Sequence, residues 1–133
     1  MTERLFSRIF RVAAGYNIIA GLITIADPQL FFRFFGLPEI NHPYVMRGLG
    51  MFVGVYGYGF YLVSTDLRRH HQFAVVGLIG KSFGVAGWIY YSLSGEIPWN
   101  AYWINILNDL VWIPVIILYL RWLHRTAPGT GRL

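Results

Sequence analysis

The chain has 133 residues, of which 56% are hydrophobic and 13% charged, with a formal net charge of +5 and no cysteine. Soluble domains carry about a quarter charged residues, so this composition indicates one membrane-embedded domain rather than a soluble protein. The absence of cysteine excludes disulfides, thiol redox relays and cysteine-ligated metal clusters. We predict a single all-α membrane domain over residues 1–125 and a flexible tail over 126–133.

A basic leader opens the chain and continues into the first predicted span. Arg4, Arg8 and Arg11 recur at helical spacing among apolar residues, so their charged ends can reach lipid phosphates while their stems stay in the membrane. The first span covers about residues 9–26, close to the length of about 20 residues that a bilayer requires. Asp27-Pro28 ends it, because the residue before a proline disfavours the α conformation.

A short aromatic segment separates the first and second spans. Residues 29–38 hold four phenylalanines around Arg33 and are too few to cross a bilayer. This pattern is typical of an amphipathic segment lying at the membrane surface.

The remaining apolar stretches predict three further spans, at about residues 44–63, 73–93 and 101–120. The second and third spans carry glycine stripes at helical spacing, which favour close packing of these two helices. In the fourth span, Pro114 removes a backbone amide and predicts a bend. The stripes consist of Gly50, Gly54 and Gly57 in the second span, and of Gly77, Gly80, Gly84 and Gly87 in the third.

The basic residues predict the topology. Most of them lie in the N-terminal leader, the loop at 64–72 and the C-terminal tail, whereas the other two loops carry only Arg33, with Arg47 just inside the second span. Cytoplasmic segments are enriched in Lys and Arg, so we predict a four-span bundle with both termini in the cytoplasm. The basic residues of the first group are Arg4, Arg8, Arg11, Arg68, Arg69, Arg121, Arg125 and Arg132.

Polar residues inside the spans form the candidate site. A charge at the bilayer centre costs about 2.5–3.5 kcal/mol on insertion scales, so Lys81 needs a partner, and Asp109 is the best candidate. A rise of about 1.5 Å per residue places both at similar depth. The predicted ligand-binding residues are Asn17, Arg47, Lys81, Asn105, Asn108, Asp109 and Trp112, of which Asn105, Asn108, Asp109 and Trp112 share one helical face.

Three interpretations of these residues stay open. In the first interpretation, the site binds a small amphipathic ligand such as a lipid or a quinone. Two cations and several amides would suit a head group that bears oxygen atoms. Alternatively, Lys81 and Asp109 titrate along a pathway for protons, ions or small solutes. In the third interpretation, the two residues form a structural ion pair that only locks helices together.

Other chemistries find no support in the sequence. His42, His70, His71 and His124 all lie outside the spans, so haem ligation within the bundle is not expected. Phosphate-binding loops, zinc-protease motifs and nucleophile elbows are absent from the sequence. We therefore predict no catalytic residue, metal or cofactor. The basic residues collect at the ends of apolar stretches, which predicts the lipid bilayer rather than nucleic acid as the partner.

The order of features resembles the small bacterial membrane proteins of the DoxX-like type. The residues that carry the likeness are Gly21, Asp27-Pro28, Gly36-Leu37-Pro38, Arg47-Gly48, Gly54, Gly80-Lys81 and Asn108-Asp109-Leu110. The resemblance implies a four-helix bundle in the bacterial inner membrane. As a partner besides the lipid bilayer and a ligand, we predict a second copy of the chain or a membrane complex. Some DoxX-like proteins are quinone-facing subunits of respiratory or thiol-oxidising complexes, but the absence of cysteine speaks against thiol chemistry here.

Overall fold

The computed structural model describes residues 2–126, which form helices and contain no strand. The predicted all-α class is therefore confirmed for this part of the chain. The described residues divide into two compact units, residues 2–67 and 68–126, and each unit is a helical hairpin. The single domain remains a prediction, and the predicted tail lies outside the described residues except for Thr126.

The first unit pairs α1 (Glu3–Ala26) with α3 (Pro43–Thr65). Because α1 begins at Glu3, the basic leader and the first predicted span form one helix of 24 residues. The hydroxyl of Ser7 donates a hydrogen bond to the carbonyl of Ser64 at 2.6 Å, and the rings of Phe10 and Phe60 stack at 6.0 Å. These contacts between the start of α1 and the end of α3 show that the two helices are antiparallel.

Glycines bring the backbones of α1 and α3 into close approach. A Cβ added to Gly21 would lie 2.6 Å from the Gly50 carbonyl oxygen and 2.8 Å from the Gly54 nitrogen. A Cβ on Gly57 would likewise lie 2.9 Å from the carbonyl oxygen of Ala14. We predicted that the glycine stripe of the second span packs against the third span. For Gly50 and Gly57 this prediction is wrong, because both residues pack against α1. Small residues allow this contact, but their spacing does not identify the partner helix.

The connection between α1 and α3 contains α2 (Leu30–Phe34), a helix of only five residues, as expected for a segment too short to span. Gly36 follows it at φ +65°, a left-handed conformation that glycine adopts without strain. The Gln29 side chain then fixes the loop, donating to the Ile40 carbonyl at 2.9 Å and accepting from the Ile40 amide at 3.0 Å. The carboxylate of Asp27 forms an ion pair with the guanidinium of Arg33 on α2.

The second unit pairs α4 (His71–Leu93) with a composite helical segment. That segment consists of a 3₁₀ turn (Trp99–Ala101), α5 (Tyr102–Asn105), a π-helical turn (Ile106–Leu110) and α6 (Trp112–Arg125). The predicted fourth span is thus longer than residues 101–120 and irregular within its first half. Pro114 lies in the first turn of α6, where a proline is tolerated, and the irregularity precedes it.

Within residues 2–126, three helical segments are long and apolar enough to cross a membrane: Glu3–Ala26, His71–Leu93 and Trp99–Arg125. They indicate a membrane protein. The helix α3 has 23 residues but is not among the three, because its glycines, tyrosines and Arg47 contribute little hydropathy. The four-span bundle is therefore not confirmed by length and composition.

Candidate functional site

An ion pair joins the two halves of the second unit. The Lys81 Nζ on α4 lies 3.3 Å from the Asp109 Oδ1 on the π-helical turn, which is the pairing predicted from the sequence. Lys81 is 6% exposed and Asp109 8%, so both charges are almost completely removed from the surface. A buried charge without a partner is strongly unfavourable, and the pair therefore depends on both members.

Two asparagines complete the surroundings of the carboxylate. The Asn105 Nδ2 donates to Asp109 Oδ2 at 2.9 Å, and the Asn108 Nδ2 donates to Asp109 Oδ1 at 3.0 Å. Lys81 also donates to the main-chain carbonyl of Asn108 at 2.5 Å. Each carboxylate oxygen thus accepts at least one hydrogen bond, which stabilises its negative charge in an apolar environment.

The π-helical turn places these groups together. Its i+5 hydrogen bond, from the Val111 amide to the Ile106 carbonyl at 3.0 Å, changes the regular α-helical pairing. Side chains then bond to carbonyls of this turn: Lys81 binds that of Asn108, and the Trp112 indole donates to that of Leu107 at 3.1 Å. Single π-helical turns inside α-helices frequently occur at functional sites.

Gly84 provides the space for the carboxylate. A Cβ on this residue would lie 2.5 Å from Asp109 Oδ2 and 3.1 Å from its Cγ. Real Cβ atoms do not approach so closely, so any side chain here would displace Asp109 or separate the helices. Gly84 was predicted only as part of a packing stripe, and its relation to Asp109 was missed, because helical spacing gives no register between two helices.

Asn105 retains one polar atom without a partner. The residue has 0% exposure, and its Oδ1 accepts no hydrogen bond within the described part of the chain. The amide cannot simply turn over, because its Nδ2 is held by the acceptor-only carboxylate of Asp109. The Oδ1 therefore needs a donor from elsewhere. This group is unusual, because the large majority of buried side-chain polar atoms are hydrogen-bonded.

Among residues 2–126, the Ser92 Oγ is the second buried side-chain polar atom without a hydrogen-bond partner. It lies on α4 about 16 Å along the helix from Lys81, at 1.5 Å per residue. A serine hydroxyl rotates freely, and within a helix it can reach the carbonyl four residues earlier after a small adjustment. Ser92 thus has a local solution that the fixed amide of Asn105 lacks.

Asn17 and Arg47, two further predicted site residues, belong to the first unit. The Asn17 side chain is buried and donates to the Ala13 carbonyl of its own helix at 2.8 Å. The exposed guanidinium of Arg47 donates to the Ile25 carbonyl at the end of α1. Both contacts are with main-chain oxygens of α1, and a role in ligand binding stays a prediction for these residues.

The Trp112 indole donates its observed hydrogen bond to a main-chain carbonyl. The polar cluster consists of Asp109 and the three side chains that donate to its carboxylate, Lys81, Asn105 and Asn108. Chemically, this cluster offers a shielded cation, a carboxylate and one unused acceptor. Among residues 2–126, His, Asp and Glu side chains do not assemble in threes in a way that could hold a metal ion. None of the family models, curated proteins or solved structures compared with the chain matches it.

Proposed function

We propose that the protein is a multi-pass membrane protein that binds a small amphipathic molecule at the cluster of Lys81, Asn105, Asn108 and Asp109. The observation that carries this proposal is the buried Asn105 Oδ1, which has no donor within the described residues. An unsatisfied polar group in hydrocarbon costs free energy that a bound molecule would recover.

The chemistry of the cluster narrows the ligand. Because the unused atom of Asn105 is an oxygen, the ligand must donate a hydrogen bond to it, as a hydroxyl does. An alcohol, a phenol or a reduced quinone has such a group, whereas an oxidised quinone has only acceptors. The ligand class is thus a hydroxyl-bearing amphiphile with an apolar body suited to the membrane.

The membrane arrangement is part of the proposal. We infer that α3 spans the membrane in addition to the three segments above, which gives four spans and places both termini in the cytoplasm. Two observations support α3 as a span: at about 1.5 Å per residue its 23 residues reach about 34 Å, and large apolar side chains on it are exposed, as lipid contact requires. These are Val45, Leu49, Met51, Phe52 and Val55. The resemblance to DoxX-like proteins, with its bacterial inner membrane and complex partner, stays a prediction.

A structural role is the second candidate function. The direct hydrogen bonds of Lys81 to Asp109 and to the Asn108 carbonyl favour it, because they link α4 to the π-helical turn without any ligand. In that case the cluster only locks two helices in register. The pathway for protons, ions or small solutes also stays a prediction, and no contact in the cluster favours it over these two.

Extraction of the purified protein tests the ligand. We expect wild-type protein in mild detergent to carry a small molecule whose mass increases on silylation, a reaction that reports hydroxyl and other groups able to donate a hydrogen bond. The variant Asn105→Leu removes the unused acceptor and should lose this molecule. The variant Ser92→Ala is the matched control, because it removes the other unpartnered buried atom and should retain the molecule.

The outcome separates the two candidates. Wild-type protein with no bound molecule, or equal retention by Asn105→Leu and wild type, would contradict ligand binding at this cluster. Circular dichroism of each variant checks that the helices remain, so that loss of the molecule is not mistaken for loss of the fold.

A further inference from the structure

We propose that a groove between α4 and α6 binds one anionic phospholipid. Its phosphate lies between Arg121 and Arg125, and one acyl chain lies along Leu78, Ile117 and Leu120. This site is separate from the polar cluster, and the proposal rests on the membrane location of the protein rather than on the proposed ligand.

The groove has a volume of about 400 Å³, and its character changes along the helix axis. Five of its residues recur at i, i+3, i+4, i+7 and i+8 on α6, so they share one face of that helix. The first two are apolar and the last three are basic, over a rise of about 12 Å at 1.5 Å per residue. The lining residues are Leu78, Ile117, Leu120, Arg121, His124 and Arg125.

Charge complementarity identifies the occupant. Arg121 and Arg125 are exposed and lie one helical turn apart, and no acidic side chain appears among the described residues that line the groove. Guanidinium groups bind phosphate oxygens in a bidentate manner, and the ring of His124 can add a third donor. The half-buried Leu78, Ile117 and Leu120 offer an apolar wall to a chain that leaves the phosphate.

The phosphate position also follows from the helix dipole. The carbonyls at the end of α6 carry partial negative charge and disfavour an anion on the helix axis. Arg121 and Arg125 instead hold the phosphate at the flank of the last two turns, where the apolar wall begins. Basic pockets between membrane helices bind anionic head groups by this same combination.

Contacts outside the groove keep its basic end in place. Arg68, in the turn before α4, donates to the Thr126 carbonyl and to the Thr126 hydroxyl, each at 3.2 Å. Its guanidinium also lies 5.6 Å from the ring centroid of Trp122, a cation–π contact. The last turn of α6 is thus tied to the start of the second unit, and less ordering is required when the lipid binds.

A second basic groove provides the matched control. It lies in the first unit, with a volume of about 1000 Å³, and its basic lining residues are Arg4, Arg8 and Arg11. Glu3 and Asp66 also line it, so acidic side chains offset part of this charge and the groove does not select an anion in the same way. The pair Arg4 and Arg8 has the same charge and spacing as Arg121 and Arg125.

Native mass spectrometry of the full chain, titrated with phosphatidylglycerol or phosphatidylcholine in detergent, tests the proposal. We expect wild type to bind one phosphatidylglycerol in preference to phosphatidylcholine. The double variant Arg121→Gln/Arg125→Gln should bind phosphatidylglycerol roughly thirtyfold more weakly, from the usual contribution of two basic residues near anionic lipid. The control Arg4→Gln/Arg8→Gln should stay within about twofold of wild type, because these two arginines do not line the groove.

A third variant tests the acyl wall without changing the charge. Leu78→Trp fills the apolar part of the groove and should also weaken phosphatidylglycerol binding, whereas phosphatidylcholine binding elsewhere on the surface should be unchanged. Equal affinities for the two lipids in wild type would overturn the proposal. So would equal losses in the two double-arginine variants, or a Leu78→Trp variant that binds like wild type, since the lipid would then not occupy this groove.

Discussion

The carboxylate of Asp109 lies directly against the backbone of Gly84, in a space that a single methyl group would fill. The ion pair with Lys81 and the hydrogen bond from Asn105 hold the carboxylate there. The polar cluster and the close approach of α4 to the π-helical turn therefore depend on one another, and a change in packing should disturb the electrostatics.

Gly84→Ala should disrupt the polar cluster. The new Cβ would lie 2.5 Å from Asp109 Oδ2, and overpacking of this kind typically costs about 1–3 kcal/mol. Thermal unfolding in detergent should show a lowered midpoint. Gly87→Ala on the same helix is the control, because a Cβ there meets nothing within 4 Å. Equal midpoints for the two variants would show that Asp109 does not need this space.

Gly21→Ala should destabilise the first unit. Its Cβ would meet the Gly50 carbonyl oxygen at 2.6 Å and the Gly54 nitrogen at 2.8 Å, and backbone atoms cannot move aside as a side chain can. We expect a loss of about 1–3 kcal/mol or more, measured by thermal unfolding. Gly15→Ala on the same helix meets nothing within 4 Å and should be neutral or stabilising, since alanine favours helix. A stable Gly21→Ala protein would argue against the observed α1–α3 contact.

Neutralising one member of the ion pair should cost more than neutralising both. Lys81→Met leaves the buried Asp109 carboxylate without its cation, and breaking a buried pair in this way costs about 3–5 kcal/mol. The double variant Lys81→Met/Asp109→Asn leaves no unpaired charge and should recover most of this loss. Unfolding midpoints of wild type, the two single variants and the double variant form the required cycle.

The same variants test whether the ion pair serves the ligand. A double variant that folds and still retains the co-purifying small molecule would show that ligand binding does not need the charges of Lys81 and Asp109. If the double variant loses as much stability as the two single variants together, the two residues do not interact, contrary to the observed 3.3 Å contact.

Cysteine labelling should show whether α3 crosses the membrane. The sequence has no cysteine, so a single introduced thiol is the only reactive one. Glu39→Cys and Arg69→Cys lie in the loops before and after α3. If α3 spans, a membrane-impermeant maleimide applied to intact cells should label Glu39→Cys but not Arg69→Cys. Equal labelling of both before lysis would place the two loops on the same side and contradict a fourth span.

Much of the helical structure could be predicted from the sequence because its signals are local. Asp27-Pro28 and Pro43 bound helices α1 and α3 as expected, since proline restricts the backbone of its own residue and of the one before it. Apolar stretches of spanning length predicted three of the observed segments. The Lys81–Asp109 pair was also predictable, because a lone charge in an apolar helix requires a partner and few candidates exist.

Only the tertiary structure decided which surfaces meet. Gly50 and Gly57 of α3 pack against α1, a partner that was not predicted, because small residues permit close packing without encoding register or identity. The π-helical turn at Ile106–Leu110 and the unpartnered oxygen of Asn105 likewise have no sequence signature. Both lie where Lys81 of α4 meets Asp109, and that meeting depends on distances between segments far apart in the chain.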